Sequence, residues 1–446
     1  MIRKLSVSHA FVVSAYYYPK SSLLGNNAIA LNVVFDSVSH NLDHVIMIGT
    51  NDTEETQFVA RTQVESSEAC RYATTVATAN TVENLTKLEI ESNDHKIEIQ
   101  FKIARYNAPK PVIFCLSPQS LAEQWQLFMI QAHMSQRFGA HIHLYLTSSL
   151  ESYFGLLREY EKQGYITIEN WLRIKFSETT SPYFEPNANM ELANRAGAYA
   201  DCLLQYKEAA KYVAFLDLED FIFPVMRTTY LREFNAEFEY QLSASSILYT
   251  TRDHLLVKAE SLEEFSFYDI VASLKTMTTS LKIGKVVVRA DRYNLTSIYG
   301  NMNTNDRNRY TVTNNMIVRV QSAPDQTNDT TQNDYSFSSK IRPKDLLAIE
   351  ESIWRMKNFS SIDDLSARLP RFDFYTPILS ECLFATQEGN RKGKNCMNFE
   401  KCAIPQREDF KCVHSDAEYK SGPHIEPFTF HYAHNSFWSD DMGCHQ

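Results

Sequence analysis

Tyr212-Val213-Ala214-Phe215-Leu216-Asp217-Leu218-Glu219-Asp220-Phe221-Ile222-Phe223-Pro224 runs from an apolar stretch straight into three carboxylates and then back to apolar residues. Acids at the end of a buried strand are costly to desolvate unless a cation or a set of donors neutralises them. Strand ends also carry solvated acids that only cap the next turn. Here the return to Ile222, Phe223 and Pro224 holds the acids between two interior segments. That placement points to a divalent ion carrying phosphates, the chemistry of a nucleotide-sugar transferase.

Upstream, the same texture repeats. Residues 111–116 read as a buried strand, 121–138 as a helix ending near Gly139, and 141–146 as a second strand. A helix over about 149–162 stops at Gly164, a third strand covers 165–168, and a longer helix spans about 189–209 before the acidic strand. Strand and helix alternating at this spacing predict an α/β fold, a mostly parallel sheet flanked by helices, with ligands bound outside the carboxyl ends of the strands. Residues 1–108 alternate apolar and polar positions, as in Ala28-Ile29-Ala30-Leu31-Asn32-Val33-Val34-Phe35, and read as a β-rich N-terminal domain bounded by Pro109 and Pro111. The α/β domain then occupies 109–320. Residues 321–340, rich in Gln, Asn, Asp, Thr and Ser, read as a polar linker, and 341–446 as a helical (about 343–357) and cysteine-bearing C-terminal region. No internal repeat is present.

The chain has 446 residues, long enough for two or three domains. Its 44 Lys+Arg against 54 Asp+Glu give a net charge of -10, and no basic tract interrupts it, which disfavours a nucleic-acid partner. No apolar stretch reaches the roughly 18 to 20 residues of a membrane-spanning helix. The start, Met1-Ile2-Arg3-Lys4, faintly resembles a signal peptide, but Ser6, Ser8 and His9 break its apolar run and Phe11 to Tyr18 read better as a strand. Cys382, Cys396, Cys402, Cys412 and Cys444 crowd a loop-rich tail with no C-x-x-C pair, which favours disulfides over zinc. N-x-S/T sequons at Asn51, Asn84, Asn294, Asn328 and Asn358 agree with a secretory route.

With these features in place, the chain resembles glycosyltransferase family 92. The likeness is carried by Ser14-Ala15-Tyr16-Tyr17-Tyr18-Pro19, Cys115-Leu116-Ser117-Pro118, Glu123-Gln124-Trp125-Gln126 and Phe138-Gly139-Ala140-His141-Ile142-His143-Leu144-Tyr145. It continues through Glu159 to Tyr165, Trp171, Asp201 to Lys207, the acidic cluster and the tail cysteines. The resemblance implies a GT-A-like fold and metal-dependent, inverting transfer of a hexose, galactose in the first instance, from a UDP-sugar to a glycan such as the core fucose of an N-glycan. It also implies residence in the Golgi lumen, where family members are held by one N-terminal membrane helix; this sequence shows no such helix. A Mn²⁺ or Mg²⁺ ion would bridge the donor phosphates. In this sequence Asp217 would contact the ribose or the metal, Glu219 would be the metal ligand, and Asp220 a supporting or alternative ligand. Arg195, near the start of the preceding helix, is placed to meet a diphosphate. An inverting transfer also needs a general base, which the sequence does not identify. Three positions depart from the family pattern: Glu219 where an aspartate is usual, and Tyr299 and Val318 where histidines are common.

His141 and His143 share one strand face, a spacing open to a metal but more often a packed pair. Trp125 and Trp171 could stack on sugars, yet their surroundings favour core packing. Three functional classes follow: an active glycosyltransferase, a catalytically weakened member that binds glycans or assists a partner, and a hydrolase. The last needs two acids facing each other across a cleft about 5 to 10 Å wide, which adjacent acids on one turn do not supply.

Overall fold

The computed structural model describes residues 7–65, 70–176, 184–277, 282–293, 309–322, 331–333, 341–389 and 396–444. The expected linker at 321–340 lies outside the described residues except for 321–322 and 331–333, as do Tyr299, Asn294 and Asn328.

The central sheet is α/β, with strands in the order Ile166–Asn170, Ala140–Leu146, Val112–Gln119, Tyr212–Leu216, Lys282–Arg289, Ser246–Leu256. The first four run parallel; Lys282–Arg289 pairs antiparallel with both of its neighbours. Side chains alternate across this sheet, as strand geometry requires. Phe114, Leu116, Ile142, Leu144, Ala214 and Leu216 face a core built with the helices Trp125–Phe138, Glu151–Lys162 and Pro343–Lys357. Ile113, Cys115, Tyr145, Val213 and Phe215 face the helix Arg195–Tyr206. The helices start later than the periodicity suggests. Leu121 has a left-handed φ of 55°, so the first one begins only at Trp125, and Ser148–Leu150 is drawn into a strand ahead of Glu151.

A second sheet is formed by the N-terminal strands, with Ser8–Tyr18, Ala28–Asp36 and Tyr72–Asn80 adjacent. The chain's far end completes it: Phe428–Met442 pairs parallel with Ser8–Tyr18, and Lys411–Ser421 pairs with Phe428–Met442. This sheet covers the outer face of the helix Arg195–Tyr206. Asn32 Nδ2 donates to Gly197 O at 2.8 Å, the Tyr16 hydroxyl to Asp201 Oδ1 at 2.9 Å and the Tyr18 hydroxyl to Leu204 O at 2.6 Å. The helix is therefore sandwiched between two sheets, and the disulfide Cys115–Cys202 ties it to the central one. Three further disulfides, Cys70–Cys396, Cys382–Cys402 and Cys412–Cys444, bind the tail to itself and to the N-terminal sheet, in line with the disulfide reading of the cysteines.

Candidate functional site

Strand alternation places Asp217. It follows Leu216 on the face that Val213 and Phe215 share, which is the face of the sandwiched helix, and Tyr199 of that helix donates its hydroxyl to Leu216 O at 3.0 Å and to Asp217 Oδ1 at 3.2 Å. The chain then turns tightly. Asp220 N–H donates to Asp217 O at 3.1 Å, and Asp217 N–H donates to the Asp220 carboxylate at 3.0 Å. Asp220 begins a short strand, Asp220–Ile222, that pairs antiparallel with Ile317–Ser322 and sets Asp220 directly opposite Arg319.

Three cations from three elements meet these acids. The Lys285 ammonium, on the strand beside Tyr212–Leu216, donates to Asp217 and stands 3.4 Å from Asp220. Arg319 reaches Asp220 through Nε at 2.8 Å and Nη2 at 3.2 Å, and lies 3.6 Å from Asp217. Arg195 stands 3.5 Å from Asp217. The backbone goes to some length to place two of them. Arg195 opens its helix after Leu192, Ala193 and Asn194, three consecutive non-glycine residues at left-handed φ of 38°, 55° and 58°. Such a run is unfavourable by roughly 1–2 kcal/mol per residue and persists only where surrounding contacts fix it. Asn194 supplies two of those contacts, capping Gly197 N–H at 3.2 Å and accepting from Thr74 Oγ1 at 2.8 Å. Next to Lys285, a Cβ on Gly284 would fall 2.0 Å from Tyr249 O, so only glycine lets the strands close up there.

The electrostatics follow. Burial opposes ionisation of Asp217, but Lys285, Arg195 and Arg319 together hold its carboxyl far below the usual carboxylate range. Asp220 has no exposed surface. Glu219 is partly buried, and desolvation followed by the adjacent Asp217 and Asp220 charges pushes its carboxyl up to about 7. Burial works against the charge of Arg319, and Asp220 more than restores it.

The structure brings Arg195 to 3.5 Å from Asp217 and turns Asp217 and Asp220 to different partners. Asp220 turns inward to Arg319 and the Asp217 N–H, while Asp217 turns to Lys285 and the helix. Among the described residues, no group of three or more His, Cys, Asp or Glu side chains is placed to hold a metal ion. A divalent cation needs several oxygens free to converge on it, and here the two aspartates are already engaged by cations. Val318 is core, 2% exposed. His141 and His143 have separate partners, Thr167 Oγ1 at 2.9 Å for one and the Tyr206 hydroxyl at 3.2 Å with Glu169 at 3.0 Å for the other. Trp125 and Trp171 are buried and donate to Pro370 O and Ala193 O, each at 2.8 Å. Sequence reasoning missed Lys285 and the role of Arg319. Lys285 carries one faint signal, a cation leading into Val286-Val287-Val288.

Comparison with known proteins agrees with the motifs. The family model for glycosyltransferase family 92 matches residues 110–357. The Caenorhabditis elegans protein "Glycosyltransferase family 92 protein ZK381.2" is 46% identical over 99% of this chain and 91% of its own length. A second from that organism, "Glycosyltransferase family 92 protein F55C10.4", is 38% identical over 100% of this chain and 92% of its own. Among solved structures, S. aureus TarS 1-349 in complex with UDP-GlcNAc aligns over 62% of this chain and 76% of its own at 13% identity, with a TM-score of 0.25. The near-complete coverage by relatives and the match across the central sheet together establish that this chain belongs to glycosyltransferase family 92 and is a glycosyltransferase.

Proposed function

We propose that this protein transfers a hexose, galactose first among the candidates, from a UDP-sugar to a glycan acceptor with inversion at the anomeric carbon. In that reaction an acceptor hydroxyl oxygen bonds to the anomeric carbon. The bond from that carbon to the β-phosphate oxygen breaks, its electron pair leaves on UDP, and the hydroxyl proton passes to a base. The observation that carries the reading is the charged cluster at the carboxyl end of Tyr212–Leu216, where Asp217 gathers Lys285, Arg195 and Arg319. Sheets of this kind bind ligands at that edge, and cations fixed there stabilise charge developing on a phosphate leaving group. The divalent ion expected from the family resemblance does not fit the two aspartates as they are held.

A separate cavity of about 520 Å³, lined by Trp171, Asn170, Glu169, Lys102, Asp201 and Asn194, includes none of Asp217, Lys285, Arg195 or Arg319 in its walls. Four disulfides support a working place in an oxidising compartment, and the Golgi lumen is the proposed one. No helix among the described residues is long and apolar enough to cross a membrane.

The test is UDP release from UDP-galactose and other UDP-hexoses by the full chain, with fucosylated N-glycans as acceptors. Acceptor-dependent release that falls at least a hundredfold in Asp217→Asn supports the reading. Folded protein that releases UDP from no donor with any glycan supplied refutes it.

A further inference from the structure

Building on the transferase reading, we propose that the donor's diphosphate is bound and neutralised by Lys285 and Arg319, flanked by Arg195, in place of a divalent ion, so that this chain binds UDP without metal. The cluster sets Lys285, Arg319 and Arg195 against Asp217 and Asp220, with Glu219 on the same turn, and each cation reaches the surface. Side-chain exposure is 13% for Lys285, 23% for Arg319 and 19% for Arg195, against 12% for Asp217 and none for Asp220. Asp220 thus lies beneath the cations and orients Arg319, while Arg319 and Arg195 stand more exposed than either aspartate. Arg195 also begins a twelve-residue helix, whose N-terminus carries a positive dipole end beside Arg195. Arg319, with Nε and Nη2 held by Asp220, turns Nη1 to a phosphate oxygen, and Lys285 supplies a compact point charge. A divalent ion brought to Asp217 would meet these three charges within a few ångströms, and Coulomb repulsion at that range outweighs what one carboxylate returns. The same geometry makes the cations themselves the electrostatic stabiliser of departing UDP.

Isothermal titration of the full chain with UDP and with uridine, each in EDTA and then in excess Mn²⁺, tests the assignment. UDP is expected to bind in EDTA with an affinity within about threefold of that in Mn²⁺, and at least tenfold more tightly than uridine, since uridine lacks the diphosphate. Lys285→Met is expected to weaken UDP binding in EDTA by tenfold or more and to leave uridine binding unchanged, while Lys285→Arg keeps most of the affinity. Should Lys285→Met fail to fold, the comparison of UDP with uridine on the unaltered chain decides the matter alone. UDP binding that appears only with Mn²⁺ overturns this inference and leaves the transferase reading standing. UDP that fails to bind in either condition overturns both, and UDP no tighter than uridine in EDTA removes the diphosphate from the cluster.

Discussion

Replacing Arg319 with methionine strips Asp220 of its principal partner. Asp220 has no exposed surface and accepts two hydrogen bonds from Arg319, at 2.8 and 3.2 Å, plus the Asp217 N–H at 3.0 Å. Breaking a buried ion pair from one side destabilises by about 3–5 kcal/mol, because the remaining charge is left uncompensated. Lys285, 3.4 Å away, still offers partial compensation, so the lower end, about 3 kcal/mol, applies here. For the cooperative unit built on the central sheet, roughly 150–250 residues, each kcal/mol shifts the melting temperature by about 2–4 °C. Arg319→Met should therefore lower it by about 6–12 °C. The double variant Arg319→Met/Asp220→Asn removes the orphaned charge along with the cation, and the amide still accepts the Asp217 N–H. It should regain at least half of the loss, a coupling of about 1.5–2 kcal/mol. Differential scanning calorimetry of the unaltered chain, Arg319→Met, Asp220→Asn and the double variant at pH 7 reads this directly. If Arg319→Met melts within about 1 °C of the unaltered chain, the carboxylate is not relying on Arg319 and the account of the cluster is wrong.

Three further expectations follow from the same packing. Glu219 is pushed up from 4.5 to about 7, chiefly by desolvation and then by Asp217 and Asp220; between those values the folded state holds more protons than the unfolded, so stability falls as pH rises. Glu219→Gln should accordingly be more stable than the unaltered chain at pH 8, by about 1–2 kcal/mol after allowance for partial solvent access, and no more stable at pH 4; urea unfolding at the two pH values checks it. Gly284→Ala forces a Cβ to within 2.0 Å of Tyr249 O, parting the strands beside Lys285, and should weaken UDP binding as well as lower the melting temperature, whereas equal UDP affinity would show that Lys285 does not depend on that contact. Paired replacement of Cys115 and Cys202 by alanine opens a loop spanning 87 residues and should lower stability by about 4 kcal/mol, with denaturant unfolding as the measure.

Much of this was legible in the sequence because it is local. The strand Tyr212–Leu216 and the break at Asp217 follow from an apolar run ending in acids, and Pro343–Lys357 follows from its periodicity. Helix starts were misjudged where backbone geometry, not periodicity, sets them. The run from Leu192 to Asn194 is left-handed and delays the helix to Arg195, although Met190, Glu191, Leu192 and Ala193 suit a helix.

What the sequence by itself determined was the family, the α/β class, the presence of disulfides and the identity of the acids, all of which reside in short motifs, composition or spacing. Only the tertiary structure decided what those acids do. Lys285 lies 68 positions from Asp217 and Arg319 lies 99 from Asp220, and nothing along the chain announces that strand register will set each cation against its aspartate. The pairing of the chain's last long strand with its first is of the same kind. Charge is a property of residues, but its compensation depends on distances of a few ångströms, and in a protein interior those are fixed by sheet order and packing rather than by neighbours in sequence.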